Sequence, residues 1–296
     1  MVSLKKKTMD GKEYYYLEHS FREGRIIKKK ELYIGTQIPK GMEKIKADFI
    51  NEIYKEKWHK TLDSIKSGFF KDIKATPPSD RKKELESFMV RFTYDTQRIE
   101  GSKLTLRETA NLLERGITPK EKSVRDVKEA EAHKEIFYEM LDYKKDLSMD
   151  IMLHWHRKMF SSTKIDIAGR IRTHGIAISG SRFIPPSPVE INPMLEDFFK
   201  WYSKNKDNMH PVELAALVHL KFVTIHPFGD GNGRISRLIM NFVLSRDNYP
   251  MLDIPYTNRT SYYNALERSQ IKGNEHIFLQ WFIKRYIKEN KRYLKR

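Results

Sequence analysis

Twelve residues constrain this chain more than any others: His226-Pro227-Phe228-Gly229-Asp230-Gly231-Asn232-Gly233-Arg234-Ile235-Ser236-Arg237. They are polar and glycine-rich, yet apolar segments lie on both sides. Upstream, Pro211 opens a helical pattern in which Leu214, Leu217, Val218 and Ile225 form a buried stripe. Downstream, Ile235, Leu238, Ile239, Phe242 and Val243 recur at the spacing of one buried helix face. A polar loop pinned between two core helices, ending at a helix N-terminus, is the arrangement the spacing predicts.

That placement has chemical consequences. A helix start presents unpaired N–H groups and a partial positive charge, which suit an anion such as phosphate. Gly231 and Gly233 have no side chain to block close approach. Arg234 and Arg237 are three residues apart and project about 60° from each other. Both are expected to point away from the centre of the apolar stripe and to reach one polyphosphate. Asp230 offers a hard oxygen ligand of the kind Mg²⁺ needs. His226 is a natural general base near neutral pH. A base, a metal ligand, an anion cradle and two guanidiniums suit phosphoryl or nucleotidyl transfer. The segment is not a P-loop, and Gly-x-Gly-x-x-Gly is absent as well.

The remaining chain reads as mainly helical. Residues 13–35 alternate as a β-hairpin turning near Gly24, and a helical pattern follows from Glu43 to Phe70. Ala75 to Asp80 reads as a linker with Asp80 as a cap. The next helix, Arg81 to Glu100, carries Leu85, Phe88, Met89, Phe92 and Ile99 on one face and ends at Gly101. Thr105 and Glu108 have capping-box form and start a helix stopped near Gly116. Further helices are expected over Ser123–Leu141 and Met149–Phe160. The Gly- and Pro-rich stretch between Gly169 and Pro188 reads as a short hairpin, and Asn192-Pro193 as the start of the following helix. His154 and His156, two apart, face different sides of a helix, and His219, seven before His226, can share its face but has no evident third ligand, so no zinc site is expected.

Composition narrows the classes. The 296 residues contain no cysteine, which excludes disulfides, thiolate zinc sites and a cysteine nucleophile and suits a reducing cytoplasm. No run of eighteen apolar residues offers a membrane span, and Met1 to Lys7 lacks the apolar core of a secretory signal. The net charge is +17, of which residues 1–75 supply +7 (18 Lys+Arg against 11 Asp+Glu), so no single tail holds the excess. A solvated lysine-rich surface is favoured over a nucleic-acid site, which stays possible.

The twelve residues match the signature of the Fic family of protein AMP-transferases, His-x-Phe-x-Asp/Glu-Gly-Asn-Gly-Arg-x-x-Arg, at every fixed position. The resemblance spans roughly residues 85–285. It implies a mainly α, Fic-type helical bundle with a short β-hairpin flap, beside the small N-terminal β-hairpin element. The expected organisation is 1–40 hairpin and 41–80 helical segment and linker, both outside the resemblance, and an 81–296 catalytic domain, with an inhibitory helix at 81–100, the flap at 170–188 and the signature loop at 226–237.

By resemblance, His226 deprotonates a Ser, Thr or Tyr hydroxyl of a target protein and Phe228 anchors the loop. Asp230 holds Mg²⁺ (or Mn²⁺) between the phosphates of ATP. Gly231, Asn232, Gly233, Arg234, Ile235, Ser236 and Arg237 bind phosphate. Gly180, Ser181, Arg182 and Phe183 of the flap dock the target strand. Tyr262 and Tyr263 flank the nucleoside, with Gln270 where relatives often carry Asn. Thr96-x-x-x-Glu100-Gly101 resembles the family's inhibitory pattern, so Glu100 is expected to pair with Arg237 and occupy the γ-phosphate position. In some relatives the same Glu supports removal of AMP. Two alternatives stay open: a Fic-fold transferase with another donor (UTP, CDP-choline or a phosphate), and a basic nucleic-acid-binding regulator. A cytoplasmic monomer or homodimer is the expected state.

Overall fold

The computed structural model describes residues 2–23 and 26–295. Its contacts divide the chain into two units, Met1–Asp63 and Ser64–Arg296. Three antiparallel strands open the first unit: β1 (Ser3–Met9), β2 (Lys12–Glu23) and β3 (Ile26–Gly35), in the order β1-β2-β3. The sequence reading missed β1. Its signal was Asp10-Gly11, whose φ values of 49° and 74° are those of a two-residue hairpin turn. The turn expected near Gly24 lies outside the described residues. Leu17, Phe49 and Ile53 form the small core of this unit, Leu17 from β2 and the other two from the helix α1 (Met42–Ala75).

The second unit is helical: α2 (Pro78–Ile99), α3 (Leu106–Arg115), α4 (Val124–Asp142), α5 (Met149–Phe160), α6 (Pro188–Asn205), α7 (Pro211–Ile225), α8 (Asn232–Arg246), α9 (Arg259–Lys272) and α10 (Glu275–Glu289). Several starts have local causes. Thr105 accepts from the Glu108 N–H at 3.2 Å while Glu108 accepts from the Thr105 N–H at 2.8 Å, so the capping box of α3 is complete. Gly116 ends that helix with φ 67°. The helix α2 starts earlier than expected, with Pro78 at its first position and Pro77 as the flanking residue; Asp80 therefore lies in the first turn and is not the cap. The helix α6 also starts earlier. Ser187 and Glu190 form a capping box with Pro188 at the first position, and Pro193 is accommodated inside the helix.

The stretch 170–187 contains no paired strand. Its chain reverses at Gly180 (φ 77°), where the Ser181 N–H meets the Ile178 carbonyl at 3.1 Å. Pro185 and Pro186 lack the N–H groups a ladder requires, which is why the expected flap hairpin is an open loop.

The core centres on α7 and α8. Every residue from Arg234 to Leu244 is buried, because α2, α4, α5 and α7 all contact α8. The single buried face read from periodicity is thus a helix covered nearly all round. Each large apolar side chain buried there contributes on the order of 1.5–3 kcal/mol. Among the described residues, no helix is long and apolar enough to cross a membrane.

Candidate active site

The loop between α7 and α8 is held by its own residues. His226 ends α7 in the left-handed conformation (φ 52°, ψ 56°), turning the chain sharply. Phe228 is 1% exposed and stacks on His156 of α5 at 3.7 Å. The Asn232 side chain closes the loop: its Oδ1 accepts from the Phe228 N–H at 2.9 Å, and its amide donates back to the Phe228 carbonyl at 2.8 Å. What Asn232 offers an anion is therefore its backbone. Gly231 has φ 84° and lies against Phe160, so a Cβ there would overlap the ring. No side chain caps α8, which leaves the amides of its first turn open.

His226 has one defined tautomer. Its Nδ1 lies 3.1 Å from the Val223 carbonyl. A carbonyl only accepts, so Nδ1 carries the proton and Nε2 keeps its lone pair. Burial lowers the imidazole below its ordinary value; Arg172 adds to this, while the Val223 carbonyl, Glu100 and Asp230 act the other way. The ring is a neutral base at neutral pH.

The charged groups beneath the loop interlock. Arg234 is 3% exposed and donates to Glu129, to Gln97 Oε1 at 3.2 Å and to Asp230 Oδ1 at 3.0 Å. Asp230 also pairs with Lys164 and accepts from the Gly231 N–H at 2.5 Å. Burial alone would raise its carboxyl, but Arg234, Lys164 and that N–H outweigh burial and hold it at about 2. Arg237 is 1% exposed. Its Nε donates to Thr96 Oγ1 at 3.1 Å, and its Nη2 to the Thr96 carbonyl at 3.3 Å and to Glu100 Oε1 at 2.6 Å. The Glu100 carboxylate lies over Gly233, where a Cβ would overlap it. Both arginines are buried, contrary to the expectation that they project off the apolar stripe; the reason is that α2 and α4 cover that side of α8 with acceptors. Ile235 and Ser236 are fully buried, so only their backbone faces the loop.

The other expected residues are spread more widely. Tyr262 is 1% exposed and sits behind Arg237, its hydroxyl 2.9 Å from His219 Nε2, so its ring offers no open stacking face. Tyr263 is 43% exposed and donates to the Ile99 carbonyl at 3.3 Å. Gln270 donates to Thr224 Oγ1 at 3.2 Å, two residues before His226. In the flap, Arg182 pairs with Glu267 of α9 at 3.1 Å and the Phe183 N–H donates to Ser181 Oγ at 3.1 Å, beside Gly180.

The geometry adds residues that sequence reasoning passed over. Arg172 is buried and donates to the His226 carbonyl at 2.9 Å, the His174 carbonyl at 2.9 Å and the Pro186 carbonyl at 2.5 Å, binding both ends of the flap to the histidine's backbone. His156 accepts from the Gly169 N–H at 2.9 Å and donates from Nε2 to the Asp230 carbonyl at 3.0 Å. Burial, against the pull of that carbonyl, lowers it to about 4. Its helix indeed aims His154 elsewhere, to an exposed pair with Glu139, but facing different sides did not make His156 idle. Lys164 and Glu129 carried no sequence signal; each lies more than sixty residues from its partner.

Residues 146–244, which include the loop and most of α8, match the family model described as Fic/DOC family. That stretch, about a third of the chain, is similar in sequence to Fic domains. Protein adenylyltransferase fic-1 of Caenorhabditis elegans is 32% identical over 209 residues, covering 69% of this chain and 41% of that protein. Among solved structures, a Fic-domain-containing signaling protein from Bacteroides thetaiotaomicron superposes with a TM-score of 0.71 and 28% identity, covering 79% of this chain and 97% of that one. A fragment of Fic-1 from C. elegans superposes with a TM-score of 0.73 and 26% identity, covering 87% and 78%. The chain spans less than half the length of the curated relatives it matches. The Fic fold is thus established for the helical unit, with a three-stranded antiparallel sheet preceding it.

Proposed function

We propose that this chain transfers AMP from ATP to a hydroxyl of a target protein, and to itself. The observation that carries the reading is the His226 tautomer: the Val223 carbonyl holds the proton on Nδ1 and leaves Nε2 a lone pair, on the residue that opens the loop into the uncapped N-terminus of α8. The target hydroxyl gives its proton to Nε2 and its oxygen attacks the α-phosphorus; the bond to the β-phosphate oxygen breaks and pyrophosphate leaves. The first-turn amides of α8 stabilise the phosphate oxygens. Curated relatives named protein adenylyltransferase favour ATP and a protein acceptor.

Mg²⁺ fits Asp230. The carboxylate is held ionised, and one carboxylate plus substrate phosphates is the usual Mg²⁺ arrangement. Among the described residues, no group of three or more His, Cys, Asp or Glu is arranged to hold a metal ion. When bound, the ion neutralises phosphate charge. Lys164, now paired with Asp230, is placed to move onto a phosphate oxygen.

Glu100 restrains this chemistry. Its carboxylate takes up Arg237 Nη2 and covers Gly233, where the terminal phosphate of ATP would otherwise bind. ATP then binds with its α-phosphate turned from the line of attack. The test is mass spectrometry of Glu100→Gly and wild-type chains after incubation with Mg²⁺-ATP. A gain of AMP on Glu100→Gly, weak on wild type and absent from the Glu100→Gly/His226→Ala double variant, is expected. Label arriving only from UTP or CDP-choline would overturn the donor.

A further inference from the structure

A cavity of about 670 Å³ lies on the face of α2 turned away from Arg237. Its walls are Leu85, Phe88 and Asp95 of α2, the loop from Pro250 to Pro255, and Tyr293 near the C-terminus. The volume is that of a small-molecule site, and its wall mixes the apolar side chains Phe69, Leu85 and Phe88 with charged ones. At one end two acidic side chains face each other. Asp95 is fixed, its Oδ1 accepting from the Tyr256 N–H at 2.6 Å. Asp253 is not: its Oδ1 is buried and meets no hydrogen-bond donor among the described residues. Burial, the Asp95 carboxylate and a hydrogen bond to it push Asp253 well above the ordinary carboxylate range, with Glu289 adding to this and Arg91 opposing it. A hydrogen bond between two carboxyl groups requires a proton, and Asp253 is the group held in its protonated form.

A proton held between two carboxyls in an open cavity occupies a place that another cation can take. We propose that this cavity is a second ligand site, distinct from the nucleotide site, for a small organic monocation: a protonated amine or amidine on an apolar or aromatic body. The head bridges Asp95 and Asp253, and the body lies against Leu85, Phe88 and Tyr293. Arg81, Arg91 and Arg292 offset Glu84 and Glu289, which also line the cavity, so the lining carries little net charge beyond the aspartate pair and disfavours polycations. Binding replaces the shared proton, which passes to the buffer, so affinity rises with pH over the range in which the pair still holds that proton.

The site reaches the transfer centre through one helix. Asp95 is followed by Thr96, which holds Arg237, and α2 ends on Glu100. A cation that ties Asp95 to Asp253 holds the end of α2 in place and so reinforces the Glu100–Arg237 contact; this part rests on the transfer reading.

The experiment is calorimetric titration of the full chain with benzamidine in two buffers of different ionisation enthalpy. One site, with a buffer-dependent enthalpy that reports proton release, is expected. Asp253→Asn should weaken binding about tenfold or more, the value of one charge-assisted hydrogen bond, and remove the proton release. Should that variant melt non-cooperatively, Leu85→Trp, which fills the cavity from a half-buried position, should abolish binding instead. No binding by the wild type at millimolar benzamidine, or binding unchanged in a folded variant, overturns the site. Benzamidine should also lower auto-modification of the wild type and leave Glu100→Gly unaffected; an equal effect on both refutes the coupling. A Glu100→Gly chain that gains no nucleotide refutes the transfer reading and leaves the calorimetric result standing.

Discussion

Ion pairs in the two units use similar residue types in opposite settings. In the N-terminal unit Lys6 pairs with Glu13, Lys7 with Glu31 and Lys29 with Glu18 across open strands, each lysine about half exposed. Around α8, Arg234 pairs with Glu129 and Arg237 with Glu100, both guanidiniums nearly or fully out of water. Water and salt screen the first set, and the long side chains lose entropy when held, so such pairs contribute little. The second set is locked, because a buried charge that loses its partner has nowhere to go. The net charge of +17 therefore says little about function here. A few charges removed from water decide what the molecule does.

The contrast can be broken from its strong end first. His226→Ala removes the base and is expected to lower transfer about 10²- to 10⁴-fold in the Glu100→Gly background, with nucleotide binding largely kept. Initial rates and nucleotide titration check both halves. Glu129→Ala strips Arg234 of its most buried partner. It should cost about 3 kcal/mol in chemical denaturation, the low end for a broken buried pair, because Asp230 and Gln97 still hold the guanidinium.

Acid sharpens the same point. Burial lowers His133 and His219 to about 3, and Arg237 adds to this. Their folded values lie below the unfolded value near 6.5, so the unfolded chain takes up more protons as pH falls. The stability from keeping them neutral is complete above that value and is lost progressively from about 6.5 down towards 3. Melting midpoints measured from neutral pH into that window should fall. The acid limb of the transfer rate should likewise lie below that of a free imidazole, because His226 is lowered as well. At the weak end, Lys7→Ala should leave the melting midpoint unchanged within error.

Much of this was legible before any coordinates. The capping box at Thr105, the stop at Gly116, the bounds of α5 and the loop between α7 and α8 all follow from local rules of spacing and hydrogen bonding. Errors came where local signals competed. Asn192-Pro193 looked like a helix start, but Ser187-Pro188 with Glu190 is a stronger one five residues earlier. The Gly- and Pro-rich stretch of the flap reads as a hairpin, while its prolines prevent pairing. The Asp10-Gly11 turn was present in the sequence and was overlooked.

The sequence by itself determined the parts that short-range physics controls: which segments are helical, where they begin, and that a base, two glycines, a carboxylate and two arginines share one loop and helix start. Only the tertiary structure decided how those parts are used. Arg172 reaches the His226 carbonyl across 54 residues, Glu129 reaches Arg234 across 105, and Glu100 reaches Arg237 across 137. No periodicity encodes such pairings, because they arise when helices distant in the chain are pressed together by apolar burial. The polar groups caught between those helices must then find partners or face an unscreened interior.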